Sequence, residues 1–274
     1  MRTPGIGREK LTAAAFRSGL LLAVFLLAVF GVGPVRGAEP PVIAAASDLN
    51  YALQKAAELF MRDSGRQIKL TFGSSGNFAR QIMQGAPFEV FLSADEGYIR
   101  TLDDRGLTEG GGTLYAVGRV ALFVPAGSPV MADADLKDIQ AAISDGRLKR
   151  LAMANPDHAP YGRAAREVLM RAGIWNGIKG RLALGENASQ AAQFTITGAA
   201  EAGIIPYSLA LAPAMAGRGS FVLLKEEWHA PLRQRMVLIR GAGDTARRFY
   251  AFMQQQPARA IFERYGFVLP TSEK

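Results

Sequence analysis

Ser74 and Ser75 stand between two glycines in Gly73-Ser-Ser-Gly-Asn-Phe-Ala-Arg-Gln81, and hydroxyls in so small a turn suit one task above others, holding an anion. The turn follows the alternating apolar run Ile68, Leu70, Phe72, which predicts a strand, and leads into Phe78-Ala-Arg-Gln-Ile-Met83, which predicts a helix. Unpaired backbone N–H groups and serine hydroxyls at a helix N-terminus make a ready anion site. An ordinary serine N-cap accounts for the same residues. Repetition separates the two readings, because Ala44-Ala-Ala-Ser-Asp-Leu-Asn50 has the same design.

Three more loops occupy that kind of chain position. Asn155-Pro-Asp-His-Ala-Pro-Tyr-Gly162 follows one predicted strand and precedes a helix; Glu186-Asn-Ala-Ser189 precedes another helix; Ile204-Ile-Pro-Tyr-Ser208 follows a further strand. Their donors are hydroxyls and backbone N–H groups, and none needs a Lys or Arg beside the anion. Such neutral donors suit a small divalent oxyanion, each hydrogen bond to a charged acceptor contributing ~1.5–3 kcal/mol. Helix N-termini add partial positive charge. A donor-only set favours a deprotonated tetrahedron, because a protonated phosphate would need an acceptor. Asp48 is the nearest candidate for one, although an acid in the first turn of a helix is explained by the helix dipole, and that reading is preferred.

Catalysis finds less support. Gly73-Ser-Ser-Gly76 lacks the G-x-S-x-G spacing of a nucleophile elbow. Histidine occurs twice, at His158 and His229, so a base for Ser75 is scarce, and His158 reads as a solvated or locally bonded residue of a proline-bounded loop. No H-E-x-x-H, Walker A or G-x-G-x-x-G pattern is present. Asp95 reads as the cap of a helix over 96–102.

These loops need strands and helices to hold them. Val42–Ala46 predicts a buried parallel strand, and Leu49, Leu53, Ala56, Ala57 and Phe60 predict an amphipathic helix over 48–63. A strand over 67–72, a helix over 77–84, a strand over 88–92 and the helix over 96–102 follow. Successive β–α units argue for an α/β architecture. Leu114–Val124 reads as one extended segment crossing into a second lobe, which holds helices at 135–145, 162–173 and 189–199 and strands at 148–154, 202–205 and 221–224. Arg235–Ile239 returns to the first lobe, and helices over 245–255 and 257–265 close it. The expected fold is therefore two-lobed, each lobe a mostly parallel sheet flanked by helices. Lobe 1 comprises 39–117 plus 229–274, and lobe 2 comprises 118–228. Ligands of open α/β sheets bind outside the carboxyl ends of the strands, here in the cleft between lobes.

Residues 1–37 differ in kind. Arg2, Arg8, Lys10 and Arg17 precede the short apolar run Leu20–Phe30, and Val35-Arg-Gly37 with Ala38 offers a cleavage site near 37/38. That is the pattern of a secretory signal peptide. The segment holds five Lys/Arg against one acid, hence +4 of the chain's +8, and +4 remains for the other residues. The case for nucleic-acid binding from the high pI weakens accordingly. No cysteine is present, which excludes disulfides, thiolate metal sites and a lipid-anchored cysteine.

Taken in order, Ala44-Ala-Ala-Ser-Asp-Leu49, Phe72-Gly-Ser-Ser-Gly-Asn-Phe-Ala-Arg-Gln-Ile82, Gly85-Ala-Pro-Phe-Glu-Val-Phe-Leu-Ser-Ala-Asp95, Pro156-Asp-His-Ala-Pro-Tyr-Gly162 and Ile261-Phe-Glu-Arg-Tyr-Gly-Phe267 resemble the molybdate-binding periplasmic proteins of ABC importers. The resemblance spans essentially the whole chain after the signal segment. It implies a class II periplasmic binding protein that is not an enzyme and has no cofactor. Molybdate or tungstate is then the transported ligand, held by Ser47 and Ser75 from one lobe and by Tyr161, the Ala188 backbone and the Tyr207 hydroxyl from the other, with no bare-cation site. It further implies a periplasmic monomer that serves an ABC permease with a cytoplasmic ATPase and does not bind nucleic acid. Sulfate or phosphate on the same fold is the alternative, because molybdate and sulfate share charge and shape and differ in size. Ferric iron held by tyrosines is another, but Tyr161 and Tyr207 are isolated rather than adjacent.

Overall fold

The computed structural model describes Met1 and residues 39–270. Apart from Met1, the segment read as a signal peptide lies outside the described residues. The strands are β1 (Val42–Ala46), β2 (Lys69–Gly73), β3 (Phe88–Ser93), β4 (Thr113–Gly118), β5 (Val120–Pro125), β6 (Leu151–Ala154), β7 (Leu182–Gly185), β8 (Ala202–Pro206), β9 (Gly219–Leu223) and β10 (Leu232–Leu238). The helices are α1 (Asn50–Ser64), α2 (Ser75–Met83), α3 (Glu96–Asp103), α4 (Lys137–Asp145), α5 (Pro160–Arg171), α6 (Trp175–Ile178), α7 (Ala188–Ile196), α8 (Tyr207–Ala210), α9 (Asp244–Phe252) and α10 (Gln256–Arg264).

They form two five-stranded sheets of one design, with strand orders β2-β1-β3-β10-β4 and β7-β6-β8-β5-β9. In each, three neighbouring strands run parallel and an antiparallel strand extends the sheet, β10 beside β3 in one and β5 beside β8 in the other. The fold is two-lobed α/β. The apolar run at 42–46 becomes an interior strand of the first sheet, with a neighbour on both sides and side chains buried on both faces. Ile43 and Ala45 pack on one face with Leu53 and Phe249, while Ala44 packs on the other with Phe78 and Phe91. That is the period-two alternation of a strand.

Register places the functional loops. Ala46 pairs with Gly73 at the carboxyl ends of β1 and β2, so the loops with Ser47 and Ser74–Ser75 leave the sheet side by side. Ala154 pairs with Gly185 at the ends of β6 and β7, so the loops leading to Tyr161 and Ala188 also start together.

Two expectations change. The extended run 114–124 is two strands rather than one: β4 pairs with β10 in the first sheet, and β5 pairs with β8 and β9 in the second. The chain changes sheets across Gly118 and Arg119. Gly118 matters there, because a side chain on it would collide with the Tyr161 hydroxyl. β7 is a strand that the sequence pattern does not show, since four residues with Leu184 exposed carry too little alternation.

Candidate functional site

The serine turn folds as its residues demand. Ser74 is the N-cap of α2, with its side chain accepting from Asn77 N at 3.3 Å. Ser75 is the first helical residue and is fully buried; its Oγ accepts from Ala94 N at 3.0 Å, which ties the turn to the end of β3. Gly76 lets the facing loop come close. Its N–H donates to His158 O at 3.0 Å, and a Cβ there would lie 2.7 Å from that oxygen.

Ser47 opens a 3-10 turn, Ser47–Leu49, ahead of α1. Its Oγ accepts from Ser189 N at 3.2 Å and its carbonyl from Ser189 Oγ at 2.8 Å, so the N-terminus of α7 is bonded to this turn. Asn187 caps α7, accepting from Gln190 N at 3.1 Å. Tyr161 is the second residue of α5, after Pro160 at a position where proline's missing N–H costs nothing.

One small cavity gathers these groups. Ser47, Ser75, Tyr161 and Ala188 line it together with Ser74 and Asp48, and its volume is about 10 Å³. The first turns of α2, α5 and α7 all border it, each with N–H groups that have no partner inside their own helix. No Lys or Arg is among the lining residues. The cavity has room for about one water-sized group, because loops of the two lobes bond directly to each other across it. Admitting a tetrahedral anion requires the lobes to part.

Residues 41–268 match the family described as bacterial extracellular solute-binding protein. The chain is 33% identical to the molybdate-binding protein ModA of Rhodobacter capsulatus, over 90% of this chain and 95% of that protein. The chain belongs to this family of solute-binding proteins. It is also 32% identical to the ModA of Azotobacter vinelandii, over 83% of this chain and 89% of that one. A solved structure titled Azotobacter vinelandii periplasmic molybdate-binding protein superposes with a TM-score of 0.77 at 28% identity, covering 84% of this chain and all of the other. A family of this kind carries solutes and performs no catalysis.

Within this solute-binding fold Tyr207 stands apart from the other expected contacts. It does not line the cavity. As the first residue of α8 it is half-buried, its ring 5.7 Å from that of Phe221 and against Gly266, where any added side chain would meet it. Its neighbour Ser208 faces the site instead, donating from Oγ to Asp48 O at 2.8 Å.

Asp48 is more deeply set than its place in the chain suggests. It stands in the first turn as read, but it is 2% exposed and borders the cavity, so the helix dipole does not account for it alone. Oδ2 accepts from Gln234 Nε2 at 2.6 Å, and Oδ1 is buried with no hydrogen-bond partner. Gln234 Nε2 also donates to the Tyr161 hydroxyl at 3.1 Å, while Tyr115 Oη donates to Gln234 Oε1 at 2.8 Å and fixes the amide's orientation. Burial pushes the Asp48 carboxyl up to about 6, and the Gln234 amide and then the Tyr161 hydroxyl pull it only partway back. Burial, reinforced by the Asp48 charge, raises the Tyr161 phenol well above its ordinary value. Gln234 had one signal in the sequence, a polar residue on the buried side of an alternating strand between Leu232 and Met236.

His158 departs from its reading as a solvated or locally bonded loop residue. It is 8% exposed, and its Nδ1 lies 2.9 Å from Ser74 Oγ. Nε2 lies 3.5 Å from Glu186 Oε2, and Asn77 donates to the other oxygen of Glu186. The histidine therefore joins facing loops rather than meeting solvent. It does not bond Ser75, whose hydroxyl is held on Ala94. Asp95 caps α3 as read, accepting from Gly97 N at 2.6 Å, and its second oxygen pairs with Arg163 across the cleft.

Proposed function

We propose that this chain captures molybdate, and also tungstate, in the cleft between its lobes and hands it to an ABC permease driven by a cytoplasmic ATPase. The lobes are 39–117 with 229–274, and 118–228, joined where the chain crosses near residues 118 and 229. Residues 1–37 direct export to the periplasm, where the protein works as a monomer and without nucleic acid. Ser47, Ser75, Tyr161 and Ala188 meet the oxygens of the anion, and no protein atom ligates the metal itself. Tyr207 is left out of this set because its ring packs elsewhere.

The observation that carries the reading is the convergence of the Ser47 and Ser75 hydroxyls with the first turns of α2, α5 and α7 on one cavity lined by no Lys or Arg. Neutral donors of this kind bind a dianion while leaving its release possible, since no opposite full charge holds it. The named relatives point the same way. Closure turns on the crossing segments, with Gly76–His158, Ser74–His158, Ser47–Ser189 and Asp95–Arg163 as the contacts made when the lobes meet.

Titration calorimetry of the chain from residue 38 onward, with molybdate, tungstate, sulfate and phosphate, tests the reading. Saturable 1:1 binding of molybdate and tungstate in preference to sulfate and phosphate is expected. Equal or tighter binding of sulfate would transfer the site to another tetrahedral oxyanion.

A further inference from the structure

Among the described residues Asp48 is the one acid that lines the cavity, and no cation answers it. Its surroundings treat its two oxygens differently. Gln234, itself held by Tyr115, donates to Oδ2 alone. Oδ1 is left buried and unpartnered, on a residue that lines the cavity. A carboxylate in that position opposes a dianion, because like charges in a poorly polarisable site repel strongly. A proton on Oδ1 resolves both problems. It removes the repulsion and turns an orphaned acceptor into a donor, a role it would share with the serine hydroxyls that line the cavity.

We propose that Asp48 takes up one proton from solvent as the dianion enters and donates it through Oδ1 to an oxygen of the anion, so that capture is coupled to protonation. This rests on the oxyanion reading above. No covalent bond changes: the anion stays deprotonated, and the proton returns to solvent on release. Burial already holds the carboxyl near the pH range where such uptake is easy.

The titratable groups that face Asp48 are Tyr115 of β4 and Tyr161 of α5, both held neutral by burial. From α7 and α8, packed on the same turn, come the hydroxyls of Ser189 and Ser208. From β10 comes Gln234, while its neighbours Arg233 and Arg235 pair with Glu96. No charge from α1 or elsewhere contributes to the shift of Asp48. His158, against Ser74 Oγ, is the nearest imidazole, with Glu186 behind it.

Calorimetry of molybdate binding from about pH 6 to 8.5, in pairs of buffers with different ionisation heats, counts the protons taken up. The expected result is close to one proton per anion near about pH 7.5, with affinity falling about tenfold per pH unit above about pH 7. Asp48→Asn should bind without uptake and with a flat pH profile. Binding by the unaltered protein with no uptake, or uptake that persists in D48N, would overturn the coupling while leaving molybdate capture standing. Absence of molybdate binding at every pH would instead overturn the capture on which the coupling depends. Should D48N fail to fold, infrared difference spectra of the unaltered protein decide the point: a carboxylic-acid C=O band should appear on adding molybdate, and its absence contradicts the proposal.

Discussion

The turns after β1 and β2 are near copies in sequence and leave adjacent strand ends, yet they do different work. After β2, Ser74 caps a nine-residue helix and Ser75 sits at its first position, so two serines and the first turn of a helix line the cavity together. After β1, Ser47 opens a three-residue 3-10 turn with no side-chain cap, and the next residue is a buried acid. One turn carries no acid; the other sets a buried carboxyl beside its serine. Two loops with the same residue pattern can therefore divide a ligand's demands, one supplying attraction and the other setting the conditions under which it is felt.

Replacing the acid should sharpen that contrast most. Its carboxyl is lifted from 3.8 to about 6 in the folded protein. The folded state thus holds the proton more tightly than the unfolded chain, and stability falls as pH rises between those values. Above about pH 6 the full cost applies, roughly 3 kcal/mol at about 1.4 kcal/mol per tenfold change. Asp48→Asn should remove it, so urea denaturation should show the variant more stable by up to ~3 kcal/mol near pH 8 and no different near pH 4. Equal stabilities at both pH values would mean that the carboxylate is solvated after all.

Ser75→Ala comes next. Loss of a donor at a helix N-terminus should weaken molybdate binding by ~1.5–3 kcal/mol, measured by calorimetry. Because Ala94 N also loses its acceptor, a stability loss of ~1–3 kcal/mol should accompany it. Ser47→Ala should cost less, about 1 kcal/mol of affinity. Its hydroxyl already serves Ser189 N, and only a short turn stands behind it. If the two alanine variants lose affinity equally, the asymmetry between the turns disappears. Tyr207→Phe should change molybdate affinity by less than ~0.5 kcal/mol, as for a side chain away from the site. A loss as large as that of Ser75→Ala would return its hydroxyl to the cavity.

Much of this arrangement was legible along the chain because its causes are local. A strand buried on both faces shows as an apolar run, a helix as spaced leucines and alanines, and a serine turn between them as a break in both patterns. Ser47 and Ser75 could be singled out on that basis. What escaped depends on distant partners. The burial of Asp48 is set by Gln234, 186 residues away, and by Tyr161. Locally, an acid after a serine looks like an answer to a helix dipole. Tyr207 follows a strand end as the other site residues do, but packing on Phe221 and Gly266 decides where its ring goes. The split of 114–124 between sheets is marked only by Gly118 and Arg119 in an otherwise continuous extended run. His158 read as solvated because nothing near it in sequence announces Ser74, 84 positions earlier.

The central claim is that one cavity, closed by donors from both lobes, holds the oxyanion. An anomalous difference map at the molybdenum absorption edge, from crystals grown with molybdate, locates the metal without reference to any assumed contact. A single strong peak should lie between Ser47, Ser75, Tyr161 and Ala188, with only oxygens separating it from the protein. A peak elsewhere, or none in protein saturated with molybdate, would contradict the account.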